Sequence, residues 1–478
     1  MHLPAFLYVL GYGGAMLSIL MLFPLAMSVW NGNMQQGQGF VIGLLLSVFV
    51  SGSFLLAGFQ ARRLRAQNIE LLILMILFWL VLPILAAIPL MGAVQINSPI
   101  GAYFEAVSAL TTSGGTQMRY PEWEAPSILL WRMLLAWLGA LWTLVFSVGV
   151  LAPYAIGGLA LIGNPLLQHD ENAPLASRLG RPLFIILPVY LSLTAIGVLA
   201  MLATGQGVFD ALTLTMSSLS TTGFINDSTL SPANMNMASQ TVITLLTLTG
   251  ALSLPLLMSV TRGRYKQLNA EVEFRVFILL IIGFALVSWL VLPSGLLATL
   301  FQSISLSTTA GFAFLDNTAL ANWPMVWIMV PSLIGGMALS TAGGIKVMRA
   351  IILAKDIGSE LERLAYPSSV NPMTLNGRRL DQRNFSAAWS FFAVYLLFVT
   401  FSVLLTGLFG ISLEQAWPLV LGAAGNSLSI VGNLGLYTDF AGLNDSLKIT
   451  LSLLMIAGRI EFLVILILFT GAFWRLVR

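Results

Sequence analysis

Residues 218–224 read SLSTTGF, and residues 305–312 read SLSTTAGF. These short runs of hydroxyl residues and glycine lie in a chain of 478 residues that is otherwise rich in Leu, Ile, Val and Phe. Related stretches occur at 111–115, which reads TTSGG, and at 432–435, which reads GNLG. Serine, threonine, asparagine and glycine all have low helix propensity. The sequence therefore repeats one helix-disfavouring pattern four times.

The composition is typical of an integral membrane protein. Hydrophobic residues make up 58% of the chain and charged residues only 9%, whereas a soluble domain carries about 25% charged residues. The absence of cysteine excludes disulfides and thiol catalysis. The two histidines, His2 and His169, are predicted to lie outside the membrane, which argues against a histidine metal site or catalytic triad at membrane depth.

The basic residues predict the topology. Most of the 22 lysines and arginines fall in five polar segments, near 62–65, 178–181, 262–275, 349–383 and 475–478. Placing all five segments in the cytoplasm satisfies the positive-inside rule. The four polar stretches then face outside, and the pI of about 9.2 reflects topology and not a nucleic-acid partner.

Ten apolar runs are long enough to cross a bilayer, which takes about twenty helical residues. They lie near 3–30, 39–60, 69–91, 126–160, 182–204, 237–261, 274–293, 323–352, 385–409 and 446–474. From the third run onward, each pair of runs is separated by a short apolar stretch and then by one of the four polar stretches. We therefore predict an all-α polytopic membrane protein with ten transmembrane spans and four re-entrant pore helices.

The repeats divide the chain into five parts. A two-span N-terminal domain (1–66) precedes four pseudo-symmetric span–pore–span repeats at 67–162, 163–266, 267–370 and 371–478.

Four such loops around one axis would form an ion pore. Irregular backbone in hydrocarbon is costly unless it lines a water-filled path, where rings of carbonyl groups can replace an ion's hydration shell. No acidic residue stands inside the four stretches, which favours a monovalent cation. Glu105 and Asp210, near the start of the short apolar stretches, are expected to anchor the pore helices rather than bind ions. The alternative is that the small residues only ease helix packing.

These loops and spans resemble those of the Trk/Ktr/HKT superfamily of potassium transporters, and specifically the membrane subunit of its bacterial Trk type (TrkH or TrkG). The resemblance covers nearly the whole chain. It implies a K+ selectivity filter with one loop per repeat, formed by Thr111, Thr112, Ser113 and Gly114, by Ser220, Thr221, Thr222 and Gly223, by Thr308, Thr309, Ala310 and Gly311, and by Gly432, Asn433, Leu434 and Gly435.

Two local departures from the family pattern stand out. The fourth loop continues with Leu436 and Tyr437 where the family usually shows Pro-Gly. The first cytoplasmic loop reads RRLRAQN (62–68) where the family commonly shows an Asp-Gly pair.

A second glycine-rich stretch, IGGMALSTAGGIK (334–346), lies inside the eighth predicted span. Each glycine disfavours continuous helix by about 1 kcal/mol. We predict a broken helix whose mobile loop resembles the intramembrane gating loop of the family, and the alternative is a glycine-rich packing face. The residues concerned are Gly335, Gly336, Ser340, Thr341, Gly343 and Gly344.

Two basic residues lie close to this predicted gate. Lys346 follows the break, either as a cation near the loop or as a lysine that snorkels to the interface. Arg459 is in the middle of the last span, where intramembrane arginine is rare. The resemblance implies that Arg459 obstructs or tunes the pore; the alternative is an ion pair with Glu461 or with another helix.

The resemblance implies K+ uptake through the bacterial inner membrane, with K+ as the transported ion, no organic cofactor and no enzymatic reaction. It also implies a homodimer in the lipid bilayer and a cytosolic TrkA-type subunit that binds NAD and adenine nucleotides. Segment 353–384 and the last residues are candidate docking surfaces, or else ordinary solvated loops. The alternative functions are a Na+- or H+-coupled cation symporter and, less favoured, a membrane enzyme.

Overall fold

The computed structural model describes residues 3–32, 34–60, 68–151, 174–292, 295–366, 374–375, 378–380 and 382–467. The regular secondary structure of these residues is helical, apart from one antiparallel pair of short strands, β1 (Thr374–Leu375) and β2 (Arg378–Arg379). The helices are α1 (Leu3–Trp30), α2 (Met34–Gly58), α3 (Asn68–Leu90), α4 (Pro99–Leu110), α5 (Pro126–Phe146), α6 (Leu175–Ala203), α7 (Val208–Leu219), α8 (Met237–Ala251), α9 (Leu254–Thr261), α10 (Lys266–Ala270), α11 (Val272–Val291), α12 (Leu296–Ser307), α13 (Asn317–Leu320), α14 (Met325–Ile334), α15 (Val347–Ala365), α16 (Gln382–Leu408), α17 (Leu413–Ala424), α18 (Leu428–Asn433), α19 (Asp445–Ile460) and α20 (Phe462–Ile467).

Seven of the described helices are long and apolar enough to cross a bilayer: α1, α2, α3, α5, α6, α11 and α16. Helices α8 and α9 together make an eighth candidate, bent by 116° between them. The other two predicted spans are interrupted, one by the non-helical segment 335–346 and one at Glu461, whose φ is 71°. The multi-span helical architecture is therefore present, whereas the described residues do not form ten continuous spans.

Four helices, α4, α7, α12 and α17, each contain twelve residues. A helix of that length is about 18 Å long, too short for a hydrocarbon core of about 30 Å. Each follows a long helix and packs against it. The side chains of Ser98 and Ser412 cap α4 and α17 by accepting hydrogen bonds from backbone amides of the first turn. These four helices occupy the places in the chain where the pore helices were predicted.

Helix α5 forms the centre of the structure. It is buried on all sides and continues through a π-helical turn at Ser147–Leu151. Helix α2, in contrast, leaves most of its apolar side chains exposed, as a lipid-facing helix does. The arrangement places the polar loops inside and apolar surface outside, where a bilayer would cover it.

Close helix contacts recur at the ends of three of the twelve-residue helices, α4, α7 and α17. At each contact a glycine of a later helix lies so close that an added Cβ atom would overlap the carbonyl group of the last residue of the twelve-residue helix. The pairs are Gly139 with Leu110, Gly250 with Leu219, and Gly458 with Ala424. Glycine is required there because the following helix passes directly over the end of the short one.

Candidate functional site

The four twelve-residue helices end in the same backbone conformation. The residue after each helix has φ between −78° and −88° and ψ between −7° and 0°. The next residue is left-handed, with φ of 55° at Thr112, 55° at Thr221, 59° at Thr309 and 50° at Asn426. A β-branched residue rarely adopts a positive φ, so three threonines in this conformation mark a shared and locally strained loop.

A hydrogen bond in each loop fixes the register between the repeats. The third residue after each helix donates its amide to a carbonyl five residues earlier, at 2.7–3.1 Å. The pairs are Ser113 with Ser108, Thr222 with Ser217, Ala310 with Ser305, and Ser427 with Gly422. The four equivalent loops are therefore 111–114, 220–223, 308–311 and 425–428.

Glycine ends three of these loops but not the fourth. Gly114, Gly223 and Gly311 have φ of 76°, 74° and 71°, whereas the equivalent position in the fourth loop is Leu428, the first residue of α18. The stretch predicted from the sequence, 432–435, lies further along the chain. Two similar stretches, GNSL and GNLG, follow α17, and only the second contains the glycine of the pattern.

The four loops contact one another in a closed ring. A Cβ atom on Gly114 or Gly223 would overlap the next loop, and one on Gly311 would overlap Ser429, the residue directly after the fourth loop. The amide of Ser429 also donates a hydrogen bond of 2.9 Å to the first loop. In order, the contacts are Gly114 with Thr222, Gly223 with Ala310, Gly311 with Ser429, and Ser429 with Ser113. We call residues 111–114, 220–223, 308–311 and 425–428 the four-loop ring.

Segment 335–346 packs against one side of this ring. The amide of Gly343 donates to the hydroxyl oxygen of Thr309 at 2.8 Å, and the amide of Gly344 donates to the carbonyl oxygen of Gly425 at 2.9 Å. Gly335 and Gly344 have φ of 74° and 79°, so the helix is interrupted where glycine allows left-handed backbone. The segment thus contacts the ring directly, through its backbone.

Arg459 lies on the same side of the ring as segment 335–346. Its Nε donates to Thr143 Oγ1 at 2.6 Å, and one terminal nitrogen donates to the Thr341 carbonyl oxygen at 2.8 Å. Its other terminal nitrogen has no hydrogen-bond partner among the described residues. Glu461 pairs instead with Arg349, whose guanidinium lies 3.7 Å from the centre of the Phe391 ring. The guanidinium of Arg459 is therefore held by neutral oxygens, in a buried position.

Lys346 turns its ammonium group back into segment 335–346. Its Nζ donates to the Ala342 carbonyl oxygen and lies 3.4 Å from Ser340 Oγ. This orientation places the charge near the loop and not at a distant interface. Glu273 of α11, which the sequence analysis did not single out, accepts amides from Ala338 at 2.8 Å and Met348 at 3.2 Å. A buried carboxylate thereby links Ala338 of the segment and Met348 at the start of α15 to α11.

The space between Arg459, Lys346, Thr143 and Asn426 is a cavity of about 40 Å³. A single water molecule needs about 10–15 Å³ by this measure, so only a few waters fit there. This cavity is therefore too small for a hydrated cation.

Buried polar groups hold the other side of the loops. Glu105, fully buried, accepts Thr116 Oγ1 at 2.7 Å and the Gln117 amide at 2.9 Å. Arg132 lies 3.6 Å from Glu105 and donates to the Ile225 carbonyl oxygen at 2.8 Å. This is the anchoring arrangement expected for Glu105. Asp210 lies in the first turn of α7, away from the ring.

The predicted docking surfaces are only partly described. Within 353–384, Lys355 donates to the Thr374 carbonyl oxygen at 2.7 Å, and Trp389 donates to Asp356 at 2.8 Å. The last residues, 468–478, lie outside the described residues, as do the first basic cluster at 62–65 and His169.

The chain matches a family model described as "TrkH: Cation transport protein" over residues 36–476. It is 32% identical to the Trk system potassium uptake protein TrkH of Vibrio parahaemolyticus, over 84% of this chain and 85% of that protein. It is 31% identical to TrkH of Escherichia coli K12, over the same shares of the two chains. The crystal structure of the potassium transporter TrkH from Vibrio parahaemolyticus has a TM-score of 0.87 at 28% identity and covers 99% of this chain and 100% of that one.

Proposed function

Because the chain belongs to the TrkH family of cation transport proteins, we propose that it takes up K+ across a bacterial cytoplasmic membrane through the four-loop ring. Its relatives are named as potassium uptake proteins of the Trk system. The observation that carries the proposal is the closed ring, in which four loops that begin with the same backbone conformation meet at the ends of four short helices. Membership of a transport family also favours this function over the membrane-enzyme alternative.

The ring supplies what a dehydrated monovalent cation needs. The carbonyl ends of four short helices point toward the loops, and their dipoles stabilise positive charge. Glycines with positive φ expose carbonyl oxygens that replace water around the ion. Hydrogen bonds of 2.9 Å between Thr111 and Ser113 and of 2.7 Å between Ser220 and Thr222 fix the side chains behind the backbone. The proposed filter consists of 111–114, 220–223 and 308–311, with 425–428 as its fourth part.

Segment 335–346 and Arg459 are the proposed gate on the cytoplasmic side. Backbone hydrogen bonds from segment 335–346 to Thr309 and Gly425 hold the segment against the ring, and the cavity beside it has room for only a few water molecules. The positive charges of Arg459 and Lys346 add an electrostatic barrier to a cation. Opening requires the segment to move, and the family resemblance assigns that control to a cytosolic nucleotide-binding partner of a homodimeric membrane subunit.

We test the proposal by Rb+ uptake into K+-loaded liposomes that contain the purified protein, with Na+ as competitor. Gly223→Ser should abolish uptake or admit Na+, because a side chain there overlaps the third loop. Gly263→Ser is the matched control, since Gly263 has a similar φ of 73° but open space around it. Wild-type uptake that both variants alter equally would contradict a filter at Gly223.

Two further measurements address the gate and the coupling. If the wild-type protein takes up no Rb+, shortening segment 335–346 should allow Rb+ uptake. A shortened variant that still takes up no Rb+ would contradict the proposed pore. Uptake that collapses with the proton gradient at fixed voltage would favour the symporter alternative.

A further inference from the structure

The side chain of Asn433, in α18, hydrogen-bonds to two loops of the four-loop ring. Its Nδ2 donates to the Gly223 carbonyl oxygen at 2.8 Å and to the Gly311 carbonyl oxygen at 3.1 Å. Carbonyl oxygens only accept hydrogen bonds, so the NH2 group of the amide must face them. The ring order places the second loop opposite the fourth. A side chain that leaves the fourth repeat and reaches both the second and the third loops therefore lies over the centre of the ring.

Ser429, one turn earlier in α18, also stands at the centre. Cβ atoms on Gly114, Gly223 and Gly311 would each contact its side chain, within about 3 Å. One side chain can approach the glycines of three loops only if it lies between them. Ser429 is fully buried.

The cause lies in the sequence of the fourth loop. Leu428 stands where the other loops have glycine with positive φ, and the chain enters α18 there instead of turning away. The first residues of α18 are thereby directed across the ring. The fourth repeat presents side chains to the axis where the other three present backbone.

Asn433 also borders a cavity of about 250 Å³ on the other face of the ring, together with Asn234, Phe312 and Asp316. It is only half-buried, and its side chain both borders this cavity and contacts the ring. An ion entering from the cavity meets the amide first, and the two carbonyl oxygens behind it are already occupied by hydrogen bonds.

We propose that the Asn433 amide is an internal competitor of the transported cation, so that this residue sets cation affinity at the outer end of the ring. The inference rests on the proposed function, because it assigns the ring to cation binding. The partial positive charge of the NH2 group takes a cation's place between the Gly223 and Gly311 oxygens. A cation that binds there must first displace the amide, and the lost hydrogen bonds weaken its apparent affinity.

The test is the thermal unfolding of the purified protein titrated with K+ at constant ionic strength, balanced with choline. A bound cation stabilises the folded state, so half-saturation reports affinity without any transport. We expect Asn433→Ala to lower the half-saturating K+ concentration by about tenfold, the equivalent of one to two hydrogen bonds. The shorter serine side chain of Asn433→Ser cannot reach both carbonyl oxygens, so this variant should also lower the half-saturating K+ concentration. It provides a second test if Asn433→Ala fails to fold.

Asn234→Ala is the matched control, because Asn234 is an exposed asparagine on the same cavity and should leave half-saturation unchanged. Unchanged or weaker K+ binding in both Asn433 variants, beside normal binding by the wild type, would overturn the inference and leave the proposed function intact. Absence of K+-dependent stabilisation in every protein, together with absence of Rb+ uptake, would overturn both.

Discussion

The amide of Gly343 donates a hydrogen bond of 2.8 Å to the hydroxyl oxygen of Thr309. Gly343 belongs to segment 335–346, and Thr309 is the left-handed residue of the third loop. Both are buried, so the proposed gate and the proposed filter are joined by a direct contact that excludes water. Movement of the segment must break this bond.

Thr309→Ala should make the closed protein leak. The variant leaves the Gly343 amide unpaired only while the segment is in place, which disfavours the closed arrangement by about 1 kcal/mol. We expect Rb+ leak into liposomes without a cytosolic partner to rise about fivefold. Thr309→Ser keeps the hydroxyl and should leak like the wild type. An equal leak from the two variants would contradict a role for this bond.

Glu273→Ala should loosen segment 335–346 and the start of α15. The carboxylate accepts the amides of Ala338 and Met348, and alanine leaves both without that acceptor. We expect hydrogen exchange at these two amides to accelerate by about tenfold or more. Glu271→Ala, two residues earlier in the chain, is the control. Protection that survives in Glu273→Ala would show that the segment is held by its other contacts.

Gly250→Ala should destabilise the fold. The added methyl group overlaps the Leu219 carbonyl group at the end of α7, and over-packing of this kind costs about 1–3 kcal/mol. The loss is measured as a lower unfolding temperature in detergent. Gly283→Ala, in a helix position with open space, should be neutral or slightly stabilising. Similar behaviour of the two variants would argue against a close approach of α8 to α7.

Glu461→Gln should be far more destabilising than Glu360→Gln, which affects an ion pair on the surface. It leaves the buried guanidinium of Arg349 without its carboxylate, at a cost of about 3 kcal/mol. Glu360→Gln breaks the exposed pair with Arg363 and should cost about 0.5 kcal/mol or less. Chemical unfolding of both variants gives the comparison. A difference below about 1 kcal/mol would mean that Phe391 and the Ile345 carbonyl hold Arg349 without help.

Hydrophobic run length was sufficient to predict most of the fold. Long runs without charge became long helices, and the short apolar stretches became four helices of twelve residues. The break at segment 335–346 was visible because glycines cluster there. The break at Glu461 was not, because a single residue with positive φ leaves no local signal.

The site was predictable where it depends on local sequence. Three loops carry the Ser/Thr/Gly pattern in the backbone register that the structure shows. The fourth could not be placed, since its equivalent stretch, 425–428, lacks the glycine on which the pattern depends. Thr143 and Glu273 were missed because their contacts with Arg459 and segment 335–346 join residues far apart in sequence.

In the proposed filter, the left-handed threonines, Thr112, Thr221 and Thr309, have a consequence for the speed of ion passage. Each left-handed threonine costs about 1–3 kcal/mol of conformational free energy, and the free energy of folding offsets this cost before any ion binds. A cation that enters the ring then finds oxygens already oriented and need not order a flexible backbone. Binding of that kind does not have to be tight in order to be selective, and an ion held weakly by a rigid frame can leave as fast as the next one arrives.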